Sequence, residues 1–485
     1  MSAFNEGLPL ECKLSDLDIT VPEGTISRNV RIQPSNLSSI VSPTTTYPAA
    51  TVNLADSPFN AQTIVFDLPA GQNGQWLDTR QSSLTFRAVY EVVTAGSACG
   101  VASAQLRSSA AAFFDRMEVL GPAGNILESV AESGVVFDTL AQIQMSNSER
   151  DGVGLMYGFD ATTTIYSDGH QLGALIGSGT ALTAGNTQTN SYALPILSAS
   201  LGSAASRFFP IGAVPRMQLQ FTTSNILPVS IVGGATVTTA GTFKITLTDF
   251  VLNLQYISLP QRAQAMLEQS LHDGKYYLQG NSYRCTTGSL AASSTGFASV
   301  LTGLRASSLK SFFTRFVELN SANNKNGKYN SKNPLASTLA ANFNGQRYPA
   351  IADEVLLHPA RGMLNLQRAI GSFNNTEMTS SITPVKYCVL STGGTASGVT
   401  TTTQDAYWNL TDEGTIQASF IWGVNVEDIA KRGVMSGLNI NSASGYVELN
   451  IASPGPTYAH TVYCIGMCDS IFVIDARSGD VQVRI

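Results

Sequence analysis

The sequence predicts a mainly β protein built from two similar modules in tandem, on three observations. Its 485 residues are 43% hydrophobic but only 13% charged, a mix that favours strands and turns over solvated helices and leaves ample apolar surface for real cores. Period-two alternation dominates the apolar segments, as in Ser83 to Val93, where Leu84, Phe86, Ala88 and Tyr90 share one face. A block of strand, hairpin and helix at 113–145 also has an echo about two hundred residues later.

The block opens with Phe113 to Leu120, FFDRMEVL, which alternates as a half-buried strand does. Gly121-Pro122-Ala123-Gly124-Asn125 then supplies a reversal, so that Ile126 to Val130 can pair back as the second arm of a hairpin. Ser133 suits a helix N-cap, and Val136, Phe137, Leu140, Ala141 and Ile143 form one apolar stripe at helical spacing. In the second half Phe312 to Leu319, FFTRFVEL, matches the opening strand at four of eight positions. Leu339 to Pro349 then reads as a strand broken by Asn344-Gly345, and Met363, Leu366 and Ile370 as a helix with Pro359 in or before its first turn.

In chain order, residues 1–57 are rich in Pro, Ser and Thr and read as an extended N-terminal arm, either a free tail or a segment ordered against a partner. The first module spans 58–257. It includes Ile64 to Leu68, the hairpin block, a long Gly-, Thr- and Ser-rich stretch at 150–190, the bend Phe208-Phe209-Pro210-Ile211 and the strand with Met217, Leu219 and Phe221. Phe243 to Ile257 closes it with one or two strands. Residues 258–275 predict a helical linker capped at Ser258 or Leu259, with Pro260 in its first turn, Ala263, Met266, Leu267 and Leu271 as its stripe, and Gly274 as its stop. The second module, 276–485, repeats the programme: Arg432 to Ser453 echoes the Phe208 bend, and Ser470 to Asp475 closes it.

Composition narrows function by exclusion. A net charge of −6 argues against a broad nucleic-acid surface, which is made mainly of Lys and Arg. No apolar run approaches ~18 residues, so none is long enough for a spanning helix. The first residues carry acids where a signal peptide needs a basic region, which predicts synthesis in the cytosol, with the sequons at Asn36, Asn374 and Asn409 unused. Cys12, Cys99, Cys285 and Cys388 stand singly; Cys464 and Cys468 would share a strand face, and all read as free thiols in a reducing compartment. His170, His272, His358 and His460 have no partner at metal-ligand spacing. No phosphate loop or nucleophile elbow occurs. The acidic pairs Asp412-Glu413 and Glu427-Asp428 read as solvated turn residues, as do Lys325, Lys328 and Lys332 in their polar loop. No catalytic, cofactor-binding or metal residue is nominated, and no enzyme activity.

Three segments carry a family likeness: Gln75 to Phe86 (QWLDTRQSSLTF), Leu194 to Phe221 with LPIL, FFPIG and MQLQF, and Phe343 to Pro349 (FNGQRYP). With the tandem plan they resemble the double jelly-roll major capsid proteins of double-stranded DNA viruses, of the polinton-like and adomavirus type and distantly adenovirus hexon. The resemblance implies two tandem eight-stranded jelly-roll sandwiches with a few short helices. It implies a homotrimer whose six rolls form a pseudo-hexagonal capsomer in an icosahedral virion shell, made in the host cytosol and assembled there or in the nucleus. Implied partners are the chain itself, neighbouring capsomers, and penton and minor capsid proteins, with the arm touching internal components and no sequence-specific nucleic-acid binding. The stretches at 150–190 and 374–405 would be tower or inter-subunit elements. A carbohydrate-binding β-sandwich protein and a virion spike or fibre protein stand as the alternatives.

Overall fold

A computed structural model describes residues 24–42, 45–46, 61–72, 74–94, 103–106, 109–146, 148–149, 152–159, 174–176, 185, 187–202, 208–225, 229–232, 242–271, 273–319, 329, 331–370, 382, 387, 420–427, 436–441 and 445–484. In these residues the alternating segments pair into two rolls. The first contains β1 (Ile26–Ile32), β2 (Thr63–Leu68), β3 (Gln75–Thr94), β4 (Phe114–Leu120), β5 (Ile126–Ala131), helix α1 (Ser133–Gln144), β6 (Thr187–Pro195), β7 (Met217–Thr223) and β8 (Thr242–Ser258). Helix α2 (Gln261–Ser270) leads to the second: β9 (Lys275–Leu290), β10 (Gly296–Leu301), β11 (Leu309–Glu318), β12 (Ala336–Phe343), β13 (Gln346–Asp353), α3 (Pro359–Ala369), β14 (Ile421–Asn425), β15 (Tyr446–Ile451) and β16 (His460–Asp475).

The first roll has sheets ordered β1-β8-β3-β6 and β2-β7-β4-β5, and the second has β9-β16-β11-β14 and β10-β15-β12-β13. Adding eight to each strand of the first gives the second. First strand beside last, second beside seventh, is a doubled ribbon rolled into two facing sheets, which is the jelly roll. Short strands extend this frame. Ser39–Val41 and Thr45–Thr46 continue along β8, and Val481–Arg484 lies on β16. Ser103–Leu106, Ala174–Ile176 and Val229–Val232 make a separate small sheet.

Each core is organised by aromatic side chains. Phe86 meets Phe114, Tyr192, Phe250 and Phe113 with ring centroids 5.4, 5.6, 5.8 and 6.1 Å away, within the range where offset and edge contacts are favourable. In the second roll Phe312 meets Phe343 at 5.3 Å and Trp422 at 6.4 Å. Asp353, buried at the end of β13, accepts from Trp422 Nε1 at 2.9 Å and Asn365 Nδ2 at 2.7 Å, which ties α3 and β14 to the edge strand. Burial holds its carboxyl above the usual value, against those two hydrogen bonds.

Several expectations are corrected. Part of the stretch read as an arm is sheet: β1 pairs with β8 from Ile26↔Ser258 to Ile32↔Leu252, and Ile40 is fully buried. Its low apolar content reflects an edge strand with most side chains exposed, not the absence of pairing. Residues 1–23 and 47–60 lie outside the described residues. The FFTRFVEL likeness joins strands that are not equivalent. Phe114–Leu120 is fourth in its roll, whereas Leu309–Glu318 is third; the counterpart of the first hairpin and helix is β12, β13 and α3. Eight alternating residues report a pleated, half-buried strand but not its place in a sheet. Residues 242–258 form one long strand, and Trp76-Leu77-Asp78 belongs to β3. In α2 the expected stripe residue Met266 is 65% exposed while Gln264 is buried, because Gln264 Oε1 accepts from Trp76 Nε1 at 3.2 Å. Lys332 is buried, and Glu427 accepts from Ser436 Oγ at 2.5 Å, so neither is a free surface charge.

A chain beginning at Gly24 keeps β1 and every later strand and serves as the reference. One beginning at Pro43 loses β1 with its half-buried Val30 and Ile32, and the buried Ile40, about 4 kcal/mol at roughly 1.5–3 kcal/mol per fully buried aliphatic side chain. Urea melts of the two truncations check this; equal midpoints would show that β1 is dispensable.

Candidate functional site

The residues that stand out chemically lie where the two rolls meet. Helix α1 is buried on nearly every side, at Val136 and Ile143 and equally at Asp138, Thr139 and Gln142, because it is covered by the second roll as well as by its own. From β11, Arg315 reaches this helix with no solvent exposure. Its Nη1 donates to Asp138 Oδ2 at 2.5 Å and Thr139 Oγ1 at 3.1 Å, and its Nη2 to the Tyr329 carbonyl at 2.7 Å. Gln142 Nε2 donates to the same Asp138 oxygen at 2.7 Å, so the carboxylate is held from both rolls. Close approach here requires glycine: a Cβ on Gly134 would lie 2.7 Å from both the Ala111 carbonyl and the Tyr329 hydroxyl.

A second carboxylate holds the seam from the first roll. Glu128 of β5 is 2% exposed and accepts from Ser198 Oγ at 2.7 Å and the Ala199 amide at 2.8 Å. Those bonds shape the turn after β6, and the turn is what the second roll rests on, since a side chain at Gly280 of β9 would run into the Ala199 carbonyl. Burial pushes the Glu128 carboxyl up to about 7, more than its hydrogen bonds pull it down. Tyr283, three residues further along β9, is pushed up to about 12 by burial and by the nearby Glu128. At the other end, Trp76 meets Tyr276 edge-on at 5.4 Å and hydrogen-bonds Gln264 of α2, and a Cβ on Gly479 would meet Pro215 at 2.5 Å.

Two grooves run along this seam. One of about 550 Å³ is lined by Ile126, Glu128, Tyr283, Arg284, Arg305 and Val483; the other, about 450 Å³, lies between Trp76, Gly212, Gln264, Tyr276 and Arg477. Arg284 and Arg305 donate to the carbonyls of Arg305 and Asn441, at 2.8 and 2.7 Å.

Of the residues singled out in sequence, Cys285, Cys464 and Cys468 are buried free thiols, and burial pushes the last two up to about 12. His460 is fully buried, with Nδ1 3.0 Å from the Tyr458 carbonyl, and burial pushes it down to about 4; His358 lies 3.6 Å from Glu354 at the surface. Among the described residues no group of three or more His, Cys, Asp or Glu could hold a metal ion. Cys12, Cys99, Cys388, His170, His272, Asn374, Asn409 and Asp412-Glu413 lie outside the described residues, with most of 150–190 and 374–405. The sequence analysis does not single out the seam groups Glu128, Asp138 and Arg315. Their signal is a charge set inside an apolar pattern, ILESVA, VVFDTL and FFTRF, which is costly unless a partner arrives from elsewhere.

Two jelly rolls joined through a buried seam make this a double jelly-roll protein. Solved structures share the fold over nearly the whole chain. The PBCV-1 virus capsid, in a quasi-atomic model, matches at 10% identity and TM-score 0.51, covering 97% of this chain and 99% of that one. PBCV-1 VP54, fitted into a reconstruction of the virophage Sputnik, matches at 11% and 0.51 with the same coverage. The Sputnik virophage at 3.5 Å matches at 10% and 0.54, covering 91% and 88%. No protein-family model matches the sequence, and no curated protein does.

Removing one partner of the buried pair leaves the other charged and unsatisfied. Asp138→Ala is expected to cost about 3–5 kcal/mol in a urea melt, and the double change Asp138→Leu with Arg315→Met to recover most of it; equal losses in both would refute the pairing. Glu128 binds its proton more tightly folded than unfolded, so its contribution is fully present below pH 4.5 and is lost as pH rises to about 7, a difference of about 3 kcal/mol. Glu128→Gln is expected to remove that component, so that the variant's stability falls less steeply than that of the unmodified chain between pH 4.5 and 7.5.

Proposed function

We propose that this chain is a major capsid protein: a structural subunit, not an enzyme, that trimerises into pseudo-hexagonal capsomers and builds an icosahedral virion shell. One observation carries the reading. Two rolls of identical strand order are joined by a buried ion pair into one unit, which presents two near-equivalent building surfaces per chain. Agreement in fold with the PBCV-1 virus capsid and the Sputnik virophage along almost the full chain supports it. The buried titratable groups at the seam and cores, Glu128, Asp138, Arg315 and Asp353, each serve to hold one element to another.

Under this reading the protein resides in the virion shell, after synthesis in the host cytosol and assembly there or in the nucleus. Its partners are other copies of itself, neighbouring capsomers, and penton and minor capsid proteins. Residues of the 1–57 stretch that precede β1 would contact internal components, and the segments at 150–190 and 374–405 would be tower or inter-subunit elements.

Light scattering of the purified protein, with negative-stain imaging of the same fraction, tests the proposal. A mass of three chains with a six-sided outline, or closed particles, is the expected result. A folded monomer or dimer at assembly-scale concentration would overturn it and bring a sugar-binding sandwich to the front.

A further inference from the structure

Inside the second roll a lysine and two carboxylates converge away from the seam. Strand β11 lies between β16 and β14. Its pairing with β16 slips between Leu309, opposite Cys468, and Ser311, opposite Met467, so Lys310 is an extra residue outside the ladder. A bulge of this kind re-aims a side chain. Lys310 Nζ lies 3.3 Å from Asp469 Oδ1 of β16 and 3.9 Å from Glu427 Oε1, just beyond the end of β14. The Asp469 side chain has no solvent exposure, Glu427 has 14% and Lys310 23%. Leu309, Val426 and Cys468, each next in sequence to one of the three, are buried.

The two oxygens of Asp469 have different surroundings. Oδ2 accepts from Ser308 Oγ at 2.8 Å and from the Ser436 amide at 3.2 Å, and Ser308 Oγ is itself fixed by the Gly437 amide at 2.8 Å. Oδ1 is buried, makes no hydrogen bond and faces Lys310. This is the arrangement acyl transfer needs: donors on the oxygen where negative charge collects, an amine beside the carboxyl carbon, and the other oxygen left unheld to depart. Glu427 completes it. Its Oε1 accepts from Ser436 Oγ at 2.5 Å, which holds the carboxylate beside the lysine, close enough to exchange protons after a small movement of the lysine chain.

We propose that Lys310 and Asp469 join through an intramolecular isopeptide bond, made by the folded chain with no other reagent. Glu427 takes a proton from the Lys310 ammonium, the freed amine attacks Asp469 Cγ, and the Nζ–Cγ bond forms as the Cγ–Oδ1 bond breaks. Two of the three ammonium protons leave with Oδ1 as water, relayed by Glu427, which ends ionised as it began. Oδ2 becomes the amide oxygen, still held by Ser308 and Ser436. One positive and one negative charge vanish from a site where solvation is poor, which favours the bond here although the same condensation is unfavourable in bulk water. The third and last strands of the second roll are thereby tied covalently. The inference uses only the geometry of this roll and stands apart from the capsid reading.

Mass spectrometry of the purified, folded chain after denaturation tests it. The unmodified chain is expected to be lighter by one water than its sequence, and digestion to give a branched peptide joining the segment of Lys310 to that of Asp469. Lys310→Arg and Glu427→Gln, each first shown by circular dichroism to keep the fold, are expected to have the full mass of their sequences. The urea midpoint of Lys310→Arg is expected to lie below that of the unmodified chain, because a cross-link restricts the unfolded state. A folded unmodified chain of full mass, with the two peptides unlinked, would overturn the bond whatever the variants do. A loss of water that persists in Lys310→Arg would place it at another residue and overturn the bond equally, and complete linkage in Glu427→Gln would overturn the role of Glu427.

Discussion

The arrangement of this molecule depends on one desolvated ion pair. Arg315 and Asp138 sit buried at the junction, each with a further bond from its own roll, to Tyr329 and to Gln142. Apolar contacts supply most of the attraction between rolls, but they are tolerant of sliding. A buried pair is not, because a shift of one residue strands a charge in a low-dielectric interior. The pair therefore acts chiefly on the register between the rolls. Gly134 and Gly280 allow the close approach that this register demands, since a side chain at either would meet backbone across the seam or within α1's own packing.

The same topology is used twice with different side chains, and the differences follow from what covers each element. Residues 83–91 of β3 alternate between core and open face, as a sheet with one wet side does, while β11 is buried at every position but Lys310 because a neighbouring roll lies on it. Helix α1 carries Asp138, Thr139 and Gln142 on a side that would be solvent in an isolated roll, and each is paired there. Helix α3 keeps the usual amphipathic pattern. A residue's environment thus reports its neighbours more than its position in the roll.

Two buried titratable groups pull stability in opposite directions with pH. Glu128 favours acid, since its proton is held up to about pH 7. His460 favours neutral conditions: held neutral by burial, its contribution is present above its ordinary value of 6.5 and is lost as pH falls towards about 4. They lie in different places, one beside the seam and one at the start of β16, so a fall in pH below 6.5 strains the second roll while a rise from 4.5 to about 7 strains the junction.

Much of the architecture was legible in the chain. Alternation in 83–93, the hairpin at 113–130, the stripe of α1, Pro359 at the start of α3 and the buried Phe pairs are local facts, set by a period of two or 3.6 and by turn chemistry within a few residues. Tandem organisation was legible for the same reason. What the sequence leaves open is which strands become neighbours: the FFTRFVEL likeness points to a strand that holds another place in its roll, the polar composition of β1 resembles that of an arm, and Asp138 and Arg315 lie 177 residues apart and meet only when both rolls are formed. Pairing, register and the match of two buried charges are decided by contacts between distant segments, each offering many near-equal local alternatives, and only the packed tertiary structure selects among them.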